Sequence, residues 1–135
     1  MAERFEDLRV WQTARELTNE IYSVTDRGAF AEDWALKDQI RRASISVMSN
    51  IAEGFESQTR PQFISLLGIA KASAGEVRAQ LIIARDQEYL NDEAFSRTND
   101  LADKVSRQLY HLIRHLEQRD GPDQVRELPP EYTSG

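Results

Sequence analysis

The chain has no cysteine, which excludes disulfides, thiolate metal ligands and thiol nucleophiles. Proline and glycine are sparse, four and six in 135 residues. No segment alternates apolar with polar residues as a half-buried strand would. No apolar run is long enough to cross a bilayer, so no membrane partner is expected. The opening Met1-Ala2-Glu3-Arg4-Phe5-Glu6-Asp7 is charged and lacks the apolar core of a secretion signal. These absences together give the expectation of a cytoplasmic protein.

What is present suits one charge-rich helical domain. Hydrophobic residues make up 40% and charged residues 30% of the chain, enough for one core without staples. The formal charge of −6 is unevenly placed. Residues 120–135 set Asp120, Asp123, Glu127 and Glu131 against Arg126. Between residues 39 and 85 the balance reverses, with Arg41, Arg42, Arg60, Lys71, Arg78 and Arg85 against Glu53, Glu56 and Glu76. An acidic whole argues against indiscriminate binding to phosphate backbones, while a basic middle leaves room for a local anionic partner.

Four long segments carry helical periodicity. The first runs from about Asp7, a plausible N-cap, to Thr25, with Leu8, Trp11, Ala14, Leu17, Ile21 and Val24 inward. Gly28 and Phe30-Ala31-Glu32-Asp33 form a connection, and Asp33 caps a second helix reaching Glu53. Gly54 suits the left-handed residue just past a helix end. Thr59 or Arg60 precedes Pro61, and proline is favoured in a helix's first turn. The third helix runs to about Gln87, with Phe63, Leu66, Leu67, Ala70, Val77, Leu81 and Ala84 inward. Asn91 caps the fourth, which runs to about Gln118 and turns Phe95, Leu101, Val105, Leu109, Leu112 and Leu116 inward. Gly121-Pro122 ends it. The expected fold is all-α: an antiparallel up-down-up-down four-helix bundle over residues 1–119, with an acidic, proline-containing tail over 120–135.

Several polar groups stand out. Arg41 and Arg42 follow Asp38 at helical spacing, so local ion pairing is available. Ser46, Asn50 and Glu53 share a face with Arg42, and Gln39 opens the same stretch. No nucleophile, base and orienting group occur together, so this face reads as a polar network or subunit interface rather than a catalytic site. Lys71, Arg78 and Arg85 fall at heptad spacing. Lys71 and Arg78 have no acid three or four residues away, which makes the stripe the best candidate contact for an anion or nucleic acid. On the last helix, Asp100 can pair with Lys104 and Asp103 with Arg107. Gly68, Ala72, Gly75 and Ala79 form a small-residue strip, read as a packing seam within the bundle or between subunits. Trp11 and Trp34 read as core or interface anchors. His111 and His115, four apart, read as solvated or capping groups rather than metal ligands. Neither a cofactor nor a metal is expected, and no reaction is legible.

The chain also resembles a known family. Leu8-Arg9-Val10-Trp11-Gln12 is similar to an "L-x-V-W-x-x-A" opening. Gln39-Ile40-Arg41-Arg42-Ala43 with Ser46 resembles "Q-I-R-R-A-x-x-S", and Asn50-Ile51-Ala52-Glu53-Gly54 matches "N-I-A-E-G". Phe63, Leu67, Ile69-Ala70-Lys71-Ala72-Ser73 and Glu76 resemble "F-x-x-x-L-x-I-A-x-G-S-x-x-E", with Ala72 where the family often has glycine. These elements, in order over about residues 5–117, resemble the proteins encoded by intervening sequences of bacterial 23S ribosomal RNA genes. The resemblance implies a four-helix bundle assembled as a ring-shaped homopentamer, without an established biochemical role. A related branch, the accessory protein of diversity-generating retroelements, is basic and works with a reverse transcriptase and nucleic acid; this chain is acidic. The expected function is therefore a non-enzymatic interaction or scaffold module that partners itself or another protein. The alternative is a nucleic-acid-associated accessory protein using the basic residues.

Overall fold

The computed structural model describes residues 2–118 and 128–133. Helix α1 spans Arg9–Val24, the short α2 Gly28–Glu32, α3 Trp34–Glu56, α4 Arg60–Asp86 and α5 Asp92–Glu117. Single 3-10 turns lie at Phe5–Asp7 and Pro130–Tyr132. The long helices α1, α3, α4 and α5 pack as an antiparallel bundle. The α3–α4 pair is the most extensive contact, α1 touches α3 and α5, and α1 lies across the diagonal from α4.

The starts of α3, α4 and α5 have a local cause. Asp33 accepts from the Leu36 N–H at 3.1 Å, Thr59 from Gln62 at 3.3 Å and Asn91 from Ala94 at 2.8 Å. These side chains satisfy amides that have no partner inside the helix. Asp7 is not a helix cap. Its carboxylate turns back to the Glu3 and Arg4 amides at 3.1 and 3.2 Å, and α1 starts after Leu8. The linker after α1 is not merely a connection, because α2 forms within it and buries Phe30. Gly28 opens α2 with φ of +65°, a conformation that costs glycine little.

α4 ends without glycine. Glu88 takes the left-handed conformation, φ +63°. The Glu88 N–H donates to the Arg85 carbonyl and the Tyr89 N–H to the Ala84 carbonyl, both at 2.9 Å. That pair of bonds is the Schellman closure, here held by a residue whose Cβ makes the conformation sterically unfavourable.

The core is built from one stripe of each long helix: Leu17 and Ile21, Ile40, Val47 and Ile51, Phe63, Leu67 and Leu81, and Leu109, Leu112 and Leu116, all within 1% of fully buried. Each such side chain contributes about 1.5–3 kcal/mol on burial. Gly54 does not terminate α3, which continues to Glu56. It is buried against α4, where a Cβ would lie 2.8 Å from Cδ1 of Phe63. The glycine is there for proximity rather than for a turn.

Residues 128–133 cross one end of the bundle. Leu8 and Thr133 form an isolated antiparallel bridge, and Arg9 Nε donates to the Thr133 carbonyl at 2.9 Å. Leu128 is buried, and the Tyr132 ring sits 5.1 Å from that of His115. The expected stop at Gly121-Pro122 and the bundle–tail boundary at residues 119 and 120 lie outside the described residues.

Candidate interaction surfaces

The arginine pair on α3 divides. Arg42 Nε meets Asp38 Oδ2 at 2.9 Å, one turn back on the same helix, with both side chains largely exposed. Such a pair is worth little beyond local order. Arg41 instead reaches across to α1. Its guanidinium lies 4.2 Å over the Tyr22 ring, Nε donates to Thr25 Oγ1 at 2.8 Å, and Nη2 donates to the Tyr22 carbonyl at 3.4 Å. That carbonyl is in the last turn of α1, where a helix presents unpaired acceptors and partial negative charge. Arg41 thus closes the end of α1 with a cation from a neighbouring helix.

Further along α3, Ser46 and Asn50 form a polar joint with α4. Asn50 Nδ2 donates to the Ser46 carbonyl at 2.8 Å and to Ser46 Oγ at 3.0 Å. Ser46 Oγ and Ser73 Oγ stand 2.9 Å apart. Sequence spacing does not single out Ser73 as a member of this joint, although its place beside the Ala70 and Ala74 core positions is a usable signal. Glu53 and Gln39 are exposed and lie outside the joint.

The basic stripe of α4 is not the free stripe expected from spacing. Arg78 reaches Asp103 of α5 at 3.7 Å, and the same carboxylate pairs with Arg107 at 2.9 Å. Arg85 lies 4.2 Å over the Phe95 ring. Of the three, half-buried Lys71 keeps the expected lack of a charged partner among the described residues. Local spacing could not reveal Asp103, because it comes from the next helix. Among the described residues, no ion pair joins Asp100 to Lys104.

The small-residue strip is not a seam inside the bundle either. Gly68, Ala72, Gly75 and Ala79 all face outward, and a Cβ on Gly68 or Gly75 would meet nothing within 4 Å. Beside the strip lie Ile69, Ile82 and Ile83, exposed by 48%, 44% and 47%. The sequence holds a signal for this: these isoleucines fall off the buried stripe of α4. Their combination with small residues makes a flat apolar face along most of the helix.

A second apolar surface lies between α1 and α3. Phe5, Trp11, Ile45, Met48 and Ala52 line a groove of about 310 Å³, and Phe5 meets Trp11 edge to face at 5.1 Å. Higher on the same side, Tyr22 and Trp34 are exposed, Trp34 by 75% with Lys37 Nζ 5.2 Å over its ring. Trp34 is therefore not a core residue. Since α1 and α4 are diagonal, this groove and the α4 face belong to different sides of the bundle.

His111 is exposed beside Tyr110, and His115 stacks on Tyr132. Among the described residues, no group of three or more His, Asp or Glu side chains could hold a metal ion. No described helix is long and apolar enough to cross a membrane.

Known proteins share this architecture. A protein of unknown function from the S23 ribosomal protein family of Bacteroides thetaiotaomicron has a similar crystal structure. It is 25% identical, with a TM-score of 0.72 over 78% of this chain and 98% of that one. No curated protein sequence matches the chain. The family profile described as 23S rRNA-intervening sequence protein matches residues 6–111, covering all four long helices except the end of α5. The chain therefore belongs to the family of 23S rRNA-intervening sequence proteins.

Proposed function

We propose that the protein is a non-enzymatic, self-associating scaffold module of the cytoplasm, closing into a ring-shaped homopentamer. The observation that carries this reading is the outward face of α4. Three half-exposed isoleucines flank a strip of glycine and alanine. Contiguous exposed apolar surface on a helix is costly unless something covers it. The small residues let a partner's side chains approach the helix backbone. Each mid-helix glycine costs about 1 kcal/mol relative to alanine, and close approach of another subunit offsets that.

Ring closure needs two different, complementary surfaces on each copy. The Trp11–Met48 groove supplies a second apolar surface away from the first. Charge is complementary as well. Glu76 on the α4 face has no cationic partner among the described residues and meets Gln80 Nε2 at 3.3 Å, while Arg15 and Arg41 on the groove side pair with aromatic rings rather than carboxylates.

A nucleic-acid role through Lys71, Arg78 and Arg85 has less support, since Asp103 and Phe95 already engage two of those cations. The deciding measurement is sedimentation velocity of the full chain at micromolar concentration. A species of five times the 15.5 kDa chain mass is expected, reduced to the single-chain mass by Ala79→Glu. A monomeric unmodified protein overturns the reading.

A further inference from the structure

A cavity of about 380 Å³ opens where residues 128–133 cross α1 and α5. Its volume lies at the small end of ligand pockets, which points to a compact ligand. Val10 and Leu112 form an apolar floor, Tyr132 a wall, and Arg9, Gln108, His111 and Glu131 supply the polar groups. Leu112 and Val10 are almost wholly buried, so the floor belongs to the bundle core rather than to mobile surface side chains.

Three of the polar groups are under-used in a consistent way. Arg9 commits Nε to the Thr133 carbonyl, and its two terminal amino groups have no partner among the described residues. Glu131 forms no ion pair with Arg9 or any other described cation, although both line the same cavity. Gln108 Oε1 is shielded from solvent with no hydrogen-bond partner among the described residues. A buried acceptor without a donor costs about 1–3 kcal/mol, so rotation of this amide toward an arriving N–H relieves a standing penalty.

We propose that this cavity binds a free α-amino acid with an apolar side chain. The carboxylate meets the terminal amino groups of Arg9, whose planar fork matches it. The ammonium donates to Glu131 and Gln108 Oε1. The side chain lies over Val10 and Leu112 against the Tyr132 ring. Simpler ligands fail on one count each. A hydrocarbon leaves Arg9, Glu131 and Gln108 unpaired. An inorganic anion meets Glu131 with nothing to neutralise it, and an amine leaves Arg9 unused. A ligand carrying both charges beside an apolar body engages Arg9, Glu131, Gln108 and the apolar floor together. The site needs a single copy of the chain, so it stands independently of the assembly proposed above.

The test is a titration of the full chain with L-phenylalanine and L-leucine, followed by amide NMR and calorimetry. Saturable binding is expected, with shifts concentrated at Val10, Gln108, Leu112 and Tyr132. N-acetyl-L-phenylalanine, which lacks the ammonium, and phenethylamine, which lacks the carboxylate, are each expected to bind at least about tenfold more weakly, the loss of one charged hydrogen-bonding group. Gln108→Leu is expected to weaken binding by a similar factor. The analogue series uses the unmodified protein, so its outcome does not depend on how that variant folds. Absence of saturable shifts with either amino acid at millimolar concentration overturns the proposal. So does equal binding of the acetylated or decarboxylated analogue.

Discussion

Gly54 and Phe63 face each other where α3 turns into α4, and a methyl group on the glycine would stand 2.8 Å from the edge of the ring. Phe63 is fully buried and packs edge to face on Phe55 at 6.3 Å, so a retreat of the ring disturbs packed neighbours. Gly54→Ala is expected to destabilise the fold by about 1–3 kcal/mol, the usual cost of overpacking, despite alanine's better helix propensity. Urea denaturation measures this. A stabilised variant would show that the contact relaxes freely.

Gly75→Ala carries the opposite expectation. Its Cβ would meet nothing in the chain, so helix propensity alone acts, and the isolated bundle gains about 1 kcal/mol. Association of subunits through the α4 face should weaken at the same time. Denaturation under dissociating dilution and sedimentation at higher concentration separate the two effects. An alanine that leaves association untouched would show that subunits do not need close backbone approach at this position.

Arg41 joins α3 to the end of α1 through a stacked ring, a hydroxyl and a carbonyl. Arg41→Ala is expected to cost about 1–2 kcal/mol, the combined scale of a helix-end cation and a cation–π contact. Arg41→Lys should recover little, because an ammonium cannot stack flat and donate sideways together. Thermal unfolding of the three proteins gives the ranking, and a lysine variant equal to the original would contradict it.

Tyr89 donates its hydroxyl to Asp33 Oδ2 at 2.9 Å. This bond, helped by desolvation and by the aspartate's charge, raises the phenol above its ordinary 10.0. The folded state therefore holds the proton more tightly than the unfolded chain. The resulting stabilisation is complete below pH 10 and is lost as pH rises through the raised folded value. Tyr89→Phe should lower stability at neutral pH and flatten the alkaline decline of the denaturation midpoint. Unchanged alkaline behaviour in the variant would mean that other groups set that limb.

The residues legible from the sequence are those whose partners lie within a turn of themselves. Asp33 and Asn91 cap the amides three positions on, and Arg42 pairs with Asp38. Spacing brings such contacts within reach without deciding them, since Asp7 caps no helix and Asp100 forms no ion pair with Lys104 among the described residues. The buried stripes are also readable, because a period of 3.6 is imposed by the helix itself. What spacing cannot supply is the identity of neighbours across helices. Arg78 has no acid three or four residues away in sequence, and α5 brings Asp103 beside it. The Gly68–Ala79 strip reads as a seam because small residues imply close approach, yet the approach is not made within one chain. Gly54 shows the same ambiguity in reverse: glycine marks either a turn or a tight contact, and only the position of Phe63 distinguishes them.

The bond from Arg9 to Thr133 joins residues 124 positions apart, so it closes a loop containing nearly the whole chain. Closing such a loop carries an entropic cost that the bridge, the Arg9 bond, buried Leu128 and one ring contact offset only after the bundle has formed. The clasp is thus a late arrival in folding and an early departure in local opening, separable from the cooperative core. Hydrogen exchange should detect it as a unit that opens while α1 and α5 remain protected. Because Glu131 and Tyr132 line the cavity, each such opening also takes one side of the cavity apart.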